Sequence, residues 1–258
     1  MIAPLFVNSM YSLLYGTASP EALAKKAAAL GYGALALTDR NSVYGLPAFI
    51  EACKQERLRP ILGTELVYRE TRQENTKEAA QKARKQYKQE VKKEIMQEGR
   101  AIGRAILLAK DKKGFSIISN LLTARALSSE GQFDAAAVLA LLTQTTGDNL
   151  MRAPLRNLTP RPQCDITWTL GGNLEGLIII TDDAALLDGL CAATAQKENS
   201  EQDLAQRPPP PDVYGLLSPF NRPRWGALLK SGIPCVATAE VRFLEPEDRQ
   251  VQRVLRAI

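Results

Sequence analysis

Short apolar runs alternate with amphipathic segments along the first quarter of the chain. Residues 5–8, 34–38 and 60–65 predict short strands, and the apolar run at 34–38 is typical of a strand buried on both faces. Residues 19–21 (Ser-Pro-Glu) combine an N-cap serine, a first-turn proline and an acidic residue, which predicts a helix start. Residues 49–54 belong to a second predicted helix. This order of strands and helices predicts an α/β fold built on a parallel sheet or barrel.

The same alternation returns later in the chain. Residues 105–109 and 176–181 are apolar runs that predict strands, and residues 115–127 have the spacing of an amphipathic helix. Residues 233–238 predict a last strand. A helix that starts at 245–248 then reaches the end of the sequence without a stop signal, which leaves open whether the natural chain continues.

Two segments interrupt this pattern. Residues 69–104 are dominated by Arg, Lys, Glu and Gln and carry a narrow apolar stripe, which predicts a charged helical insertion. A nucleic-acid-binding arm is the alternative interpretation of that insertion. Residues 143–230 contain many Thr, Asn, Pro and Gly residues and predict a divergent, loop-rich part. We expect residues 1–258 to form one domain that contains both segments.

Composition narrows the chemistry that the chain can perform. The 258 residues include no histidine, and 33 Lys and Arg against 28 Asp and Glu give a net charge of +5. The absence of histidine excludes Ser-His-Asp and Cys-His triads and histidine-based zinc sites. The mildly basic charge is compatible with nucleic-acid contact but does not require it.

The location of the protein is predicted from its cysteines and its apolar runs. Four cysteines are scattered without a CxxC pair, which predicts reduced thiols in a cytoplasmic protein. No apolar run of about 18 residues predicts a membrane span, and the N-terminus lacks the features of a signal peptide. We therefore expect no membrane contact.

Asp39 and Glu65 both stand where predicted strands end. Ligand and catalytic groups of α/β folds collect at the carboxyl ends of parallel strands. The two carboxylates are therefore candidate site residues. The alternative is that they only cap the helices that follow.

Six stretches of the sequence resemble, in order, the polymerase-and-histidinol-phosphatase (PHP) domain of bacterial DNA polymerase III alpha subunits. They are residues 9–21, 31–45, 59–66, 107–114, 122–125 and 232–258. The resemblance implies a distorted seven-stranded β/α barrel. It also implies a cluster of divalent metals at the carboxyl end of the barrel, which family members with intact sites hold mainly through histidines and use to activate water against a phosphoester.

The positions of the family's metal ligands carry other residues in this chain, so the resemblance is to a degenerate form. Pro4, Phe6 and Asn8 stand at the opening histidine-rich strand. Arg40, Arg104 and Arg242 replace later histidines, Glu240 replaces an aspartate, Asp183 falls near a family cysteine, and Asp39 and Glu65 are retained. We therefore expect no bound metal, no other cofactor and no catalytic residue.

The three arginines suggest how the barrel tolerates the loss of metal. Crowded carboxylates raise one another's pKa and destabilise a fold, and guanidinium groups can neutralise them. We expect Arg40, Arg104 and Arg242 to face Asp39, Glu65 and Glu240. The alternative is that these arginines are surface residues tolerated at a site that has lost its function.

Three functions follow from the resemblance. The first is an inactive structural or interaction module in DNA replication or repair synthesis, whose partners would be a polymerase body and a proofreading exonuclease subunit. The second is a metal-dependent phosphoesterase or 3′–5′ exonuclease that uses the remaining carboxylates. The third is a DNA-binding module, which salt-dependent binding would reveal.

Overall fold

The computed structural model describes residues 2–69, 102–127, 133–143, 174, 176–198, 212–219, 221–230 and 232–255. Within these ranges strands and helices alternate through most of the chain. The elements are β1 (Phe6–Val7), α1 (Pro20–Ala29), β2 (Ala34–Leu37), α2 (Leu46–Gln55), β3 (Arg59–Arg69), β4 (Ile102–Ala109), α3 (Lys112–Leu127), α4 (Ala135–Thr143), β5 (Leu177–Thr181), α5 (Ala184–Glu198), β6 (Asp212–Leu217), α6 (Arg222–Lys230), β7 (Cys235–Ala237), β8 (Glu240–Val241) and α7 (Asp248–Leu255).

The strands form a distorted barrel. One sheet has the order β2-β3-β4-β5-β6-β7, and β1 pairs with β8 in a second sheet. Two backbone hydrogen bonds join β1 to β2, from Ala36 N to Pro4 O and from Thr38 N to Val7 O. Only residues 238 and 239 separate β7 from β8, so the two sheets are joined directly along the chain. The predicted α/β class and distorted seven-stranded barrel are thereby confirmed.

The direction of β4 departs from the parallel arrangement that the sequence predicted. β4 pairs antiparallel with both β3 and β5, whereas the other paired strands run parallel. The start of β4 therefore lies at the end of the barrel where the neighbouring strands finish. Residues near this start, including Arg104, share an end with the carboxyl termini of the parallel strands.

Three apolar layers hold the barrel together. Its interior contains Phe6, Ala36, Ile106, Ile180 and Leu216, which come from five different strands and are all buried. A second cluster packs α1 and α2 against the outer face of β2, and a third packs α3, α4 and α5 against the outer faces of β3, β4 and β5. Because side chains alternate between the two faces of a strand, each buried strand is apolar on both sides.

The predicted start of the first helix is confirmed. Ser19 Oγ accepts a hydrogen bond of 3.2 Å from Ala22 N, and Pro20 is the first helical residue. Gly31 follows the helix with φ of 77°, a left-handed conformation that glycine adopts without a steric cost. These signals define where α1 begins and ends.

The boundaries predicted for the two irregular segments need correction. The charged segment was predicted as helix from 69 to 104, but residue 69 ends β3 and residues 102–104 begin β4. Residues 70–101 lie outside the described residues. Inside the part predicted as loop-rich, 143–230, β5 forms from the apolar run at 176–181 that predicts a strand. The elements α5, β6 and α6 also lie in this part and were not predicted. Apolar runs inside that part, such as 177–180, outweigh its loop-forming composition.

None of the helices in the described part of the chain combines the length and the apolarity that a membrane span needs.

The register of β3 and β4 predicts that residues 70–101 can be replaced by a tight turn. Arg69 is the direct antiparallel partner of Ile102, so the two strand ends lie one turn apart. We expect a variant with Asn-Gly in place of 70–101 to fold, because this dipeptide favours the hairpin turn that matches strand twist. Circular dichroism and a cooperative urea transition would test this. A variant that expresses only as an unfolded chain would show that the barrel depends on the replaced segment.

Candidate functional site

One end of the barrel is lined by polar side chains that continue the inward-facing positions of the apolar interior. Asn8 lies two residues beyond Phe6, Glu65 four beyond Ile61, and Arg104 two before Ile106. Asp182 lies two beyond Ile180 in the same way, and Arg40, Glu240 and Arg242 complete the set. We call these seven residues the mouth. Because every second residue of a strand faces the same side, the strands that supply the apolar interior also place polar side chains at the end of the barrel.

Arg104 is the central cation of the mouth. Its Nε lies 3.5 Å from Asp182 Oδ2, and its Nη1 lies 3.4 Å from Glu240 Oε2. The side chains of Asp182 and Glu240 are only 6% and 1% exposed. One guanidinium therefore connects two buried carboxylates, of which one directly follows β5 and the other lies in β8.

Two more arginines complete the charge network. The Arg242 guanidinium contacts Glu240 Oε1 through Nη2 and donates to it through Nε. Arg224 Nη1 lies 3.6 Å from Asp182 Oδ1 and donates to Asp182 O at 3.3 Å. Each buried carboxylate therefore faces two guanidinium groups, which compensate for the loss of hydration.

Glu65 lies within this electrostatic field without joining an ion pair among the described residues. Burial raises the pKa of its carboxyl to about 7, and the Glu240 carboxylate adds to the rise. Arg40, Arg104 and Arg242 act in the opposite direction and lower that pKa. Glu65 lies inside β3, four residues before its end, and not at a strand terminus as the sequence predicted. At neutral pH the Glu65 carboxyl therefore populates both its protonated and its ionised form.

Asp39 belongs to a different set of contacts. Its Oδ1 accepts hydrogen bonds from Ser9 N at 2.6 Å and from Ser12 Oγ at 2.7 Å, and its Oδ2 accepts from Ser9 Oγ at 2.8 Å. No described arginine forms an ion pair with Asp39, which corrects the expectation that it would join the arginine cluster. Burial raises the pKa of Asp39, while these hydrogen bonds act to lower it. The carboxylate ties the loop after β1 to the end of β2.

Asn8 adds a polar group at an inward position. Its Nδ2 donates to Thr38 O at 2.7 Å, which continues the contact between β1 and β2. Its Oδ1 is buried and has no hydrogen-bond partner among the described residues. Among the described residues, nothing donates to this acceptor.

The structure assigns different roles to Asp182 and Asp183. Asp183, the sequence candidate, caps α5, since its Oδ1 accepts from Ala185 N at 3.0 Å and Leu186 N at 3.3 Å. Asp182, which the sequence reasoning missed, is the residue that meets Arg104. Counting by two from Ile178 and Ile180 would have identified Asp182, because those positions face the barrel interior.

Tyr15 is another residue that the sequence reasoning did not identify. Arg40 Cζ lies 3.9 Å from the centroid of its ring, and Arg242 Cζ lies 5.4 Å from it. Both distances allow favourable cation–π attraction. The ring therefore places two guanidinium groups beside each other at the edge of the mouth.

Comparison with known sequences identifies the family. The profile of the PHP domain matches residues 5–186, which is more than half of the chain. The chain belongs to the PHP domain family. The match begins at β1 and ends inside α5, so it includes the strands that carry most of the mouth.

Similar proteins include DNA polymerase III alpha subunits. The alpha subunit of Bacillus subtilis strain 168 is 27% identical over 267 residues, a match that covers 98% of this PHP chain and 18% of that protein. The alpha subunit of Halalkalibacterium halodurans is 45% identical over 65 residues, which covers 25% of this chain and 6% of that protein. The chain therefore spans less than a fifth of the length of these relatives.

An amidohydrolase from Chromobacterium violaceum, solved with bound SO4 and no metal, covers 98% of this chain and 96% of its own at 13% identity. Its TM-score of 0.41 is too low to support a conclusion.

The mouth of this PHP domain does not fit the metal cluster that the family implies. The described residues contain no group of three or more His, Cys, Asp or Glu side chains placed to hold a metal ion. Asp182 and Glu240 point their oxygens at arginines, and guanidinium groups repel cations at short range. Arginine, phenylalanine and proline also supply none of the nitrogen or sulfur donors that transition metals prefer.

Proposed function

We propose that this PHP domain is a non-hydrolytic structural module of a protein related to DNA polymerase III alpha subunits. The observation that carries the proposal is Arg104, which bridges Asp182 and Glu240 inside the mouth. Guanidinium groups provide there the positive charge that the family's metals provide elsewhere. These ion pairs would hold the described strand ends together without a metal ion.

The proposed partner is a polymerase body, in the same chain or in another. Support comes from the relative in Bacillus subtilis, which aligns with nearly the whole of this chain yet is more than five times as long. A domain that has exchanged metal ligands for salt bridges can still serve as a packing surface. Contacts with a proofreading exonuclease subunit and with DNA, and a cytoplasmic location, belong to the same proposal.

Metal content tests the proposal directly. We expect protein purified without chelator to contain less than one transition-metal ion per chain, because the mouth offers mainly guanidinium groups to a cation. Elemental analysis by inductively coupled plasma mass spectrometry would measure this. The Glu240→Gln variant is the control, since metal bound at the mouth would decrease in that variant. Two or more zinc, iron or manganese ions per wild-type chain, lost in Glu240→Gln, would overturn the proposal.

Hydrolysis provides a second readout of the same proposal. The wild-type protein should not hydrolyse a generic phosphoester when Mn²⁺ is added. The double variant Arg40→His, Arg242→His should also stay inactive, because Pro4, Phe6 and Asn8 still supply no ligand nitrogen. Hydrolysis by either protein that disappears with chelator would instead favour the phosphoesterase or exonuclease alternative.

A further inference from the structure

The outer face of the barrel sheet contains two buried polar atoms that have no hydrogen-bond partner among the described residues. They are Tyr68 Oη in β3 and Asp183 Oδ2 just after β5, and the two residues are only 3% and 6% exposed. Tyr68 belongs to the apolar cluster that packs α3, α4 and α5 against the sheet. Because an unpaired polar atom in apolar surroundings costs free energy, native proteins rarely leave one unsatisfied.

The register of the strands brings these two side chains to the same place. Tyr68 in β3 is the direct partner of Gly103 in β4. Ala105 is the direct partner of Thr181 in β5, and continuing that pairing by two residues places Asp183 beside Gly103. Tyr68, Gly103 and Asp183 therefore form one row across the sheet. Neighbouring strands lie about 4.8 Å apart, so the two outer members of the row are separated by about 10 Å at the backbone.

Gly103 allows the ring of Tyr68 to lie across the middle strand. A Cβ atom built on Gly103 would lie 2.2 Å from Cε2 of that ring, so the ring covers the glycine closely. Burial raises the pKa of the Tyr68 hydroxyl, and the charge of Asp183 raises it further. The hydroxyl therefore lies near Asp183 and remains a protonated donor at neutral pH.

Thr181 supplies a third polar atom on this face. Its Oγ1 donates to Arg104 O at 2.5 Å and accepts from Asp183 N at 3.1 Å, and its side chain is fully buried. A hydroxyl oxygen has two lone pairs, so one of them is left to accept another hydrogen bond. Thr181 also lowers the pKa of the Tyr68 hydroxyl, which places the two hydroxyl groups close to each other.

We propose that Tyr68, Thr181 and Asp183 bind one internal water molecule. The water accepts a hydrogen bond from Tyr68 Oη and donates one each to Asp183 Oδ2 and Thr181 Oγ1, so both unpaired atoms gain a partner. Buried waters typically make about three hydrogen bonds to polar groups that would otherwise be unsatisfied. The site lies on the outer face of the sheet and not in the mouth, so the inference is independent of the proposed function.

A crystal structure of the wild-type chain at a resolution that shows ordered water tests the site. We expect one water peak within about 2.5–3.0 Å of all three oxygen atoms. Tyr68→Phe keeps the ring over Gly103 and removes the donor, so the peak should be absent or much weaker in that variant. A wild-type structure without the peak, a direct bond between Tyr68 and Asp183, or an equally strong peak in Tyr68→Phe overturns the proposal.

Urea unfolding provides a second readout. Tyr68→Phe should lower the equilibrium constant for folding about tenfold, because a buried acceptor loses the water that satisfies it. Tyr32→Phe is the matched control. It removes the same hydroxyl from a tyrosine that is only half-buried, and it should change the constant by less than about twofold. Equal effects of the two substitutions would contradict the site.

Asp183→Asn shows whether the two side chains act together. The variant keeps the cap of α5, because asparagine is also a favoured N-cap residue. The double variant Tyr68→Phe, Asp183→Asn should lose less stability than the two single losses combined, because side chains that share a partner are not additive. Fully additive losses would show that Tyr68 and Asp183 do not share a water molecule.

Discussion

Arg104→Ala is expected to lower the free energy of unfolding by about 3 kcal/mol. Removing one partner of a buried ion pair typically costs about 3–5 kcal/mol, because the charge left behind is neither hydrated nor paired. Here two carboxylates lose a partner at once, and both are almost fully buried. The lower end of that range is expected because Arg242 still contacts Glu240 and Arg224 still contacts Asp182. Urea unfolding monitored by circular dichroism would measure the change.

Two variants show whether the effect comes from charge. Arg59→Ala removes an exposed arginine from the start of β3 and should change stability by less than about 1 kcal/mol. The triple variant Arg104→Ala, Asp182→Asn, Glu240→Gln should recover part of the loss, because neutral amides are less costly to leave unpaired in a buried site. If Arg104→Ala costs less than about 1 kcal/mol, water reaches the mouth and the bridge contributes little.

The fold was more predictable than the site because it depends on signals that repeat along the chain. The apolar run at 34–37 and the serine cap at Ser19 are local features, and the structure forms β2 and α1 from them. The reversal of β4 had no such signal. A run such as 105–108 is buried on both faces whether its strand is parallel or antiparallel to its neighbours. The composition of the run therefore does not indicate the direction of the strand.

The site was less predictable because it depends on which side chains meet in space. Asp39 and Asp182 are both aspartates that follow apolar strands, yet one accepts hydrogen bonds from Ser9 and Ser12 and the other meets Arg104. The difference arises from the loop after β1, which folds back over Asp39. Asp183 was named because it falls near a family cysteine in the resemblance, whereas the two-residue period of β5 indicates Asp182.

Glu65→Gln is expected to remove a pH dependence of stability between about pH 4.5 and 7. The folded protein raises the pKa of this carboxyl from 4.5 to about 7, so the folded state holds the proton more tightly than the unfolded state. The resulting stabilisation is complete below pH 4.5 and is lost as the pH rises through 7. One pKa unit corresponds to about 1.36 kcal/mol, so the total change is on the order of 3 kcal/mol.

The measurement is the difference between two stability curves. Urea unfolding of the wild type and of Glu65→Gln at pH values from 4.5 to 8 should show the variant gaining about 3 kcal/mol relative to the wild type as the pH rises. Asp39 titrates in both proteins, so its contribution cancels in the difference. Glu51→Gln controls for the substitution itself, because Glu51 is exposed and pairs only with Lys54 among the described residues. The stability difference between Glu65→Gln and the wild type could instead be independent of pH, as for a neutral substitution. That result would show that the arginines keep Glu65 charged throughout this range. The charges of the three arginines and the three acids of the mouth would then balance.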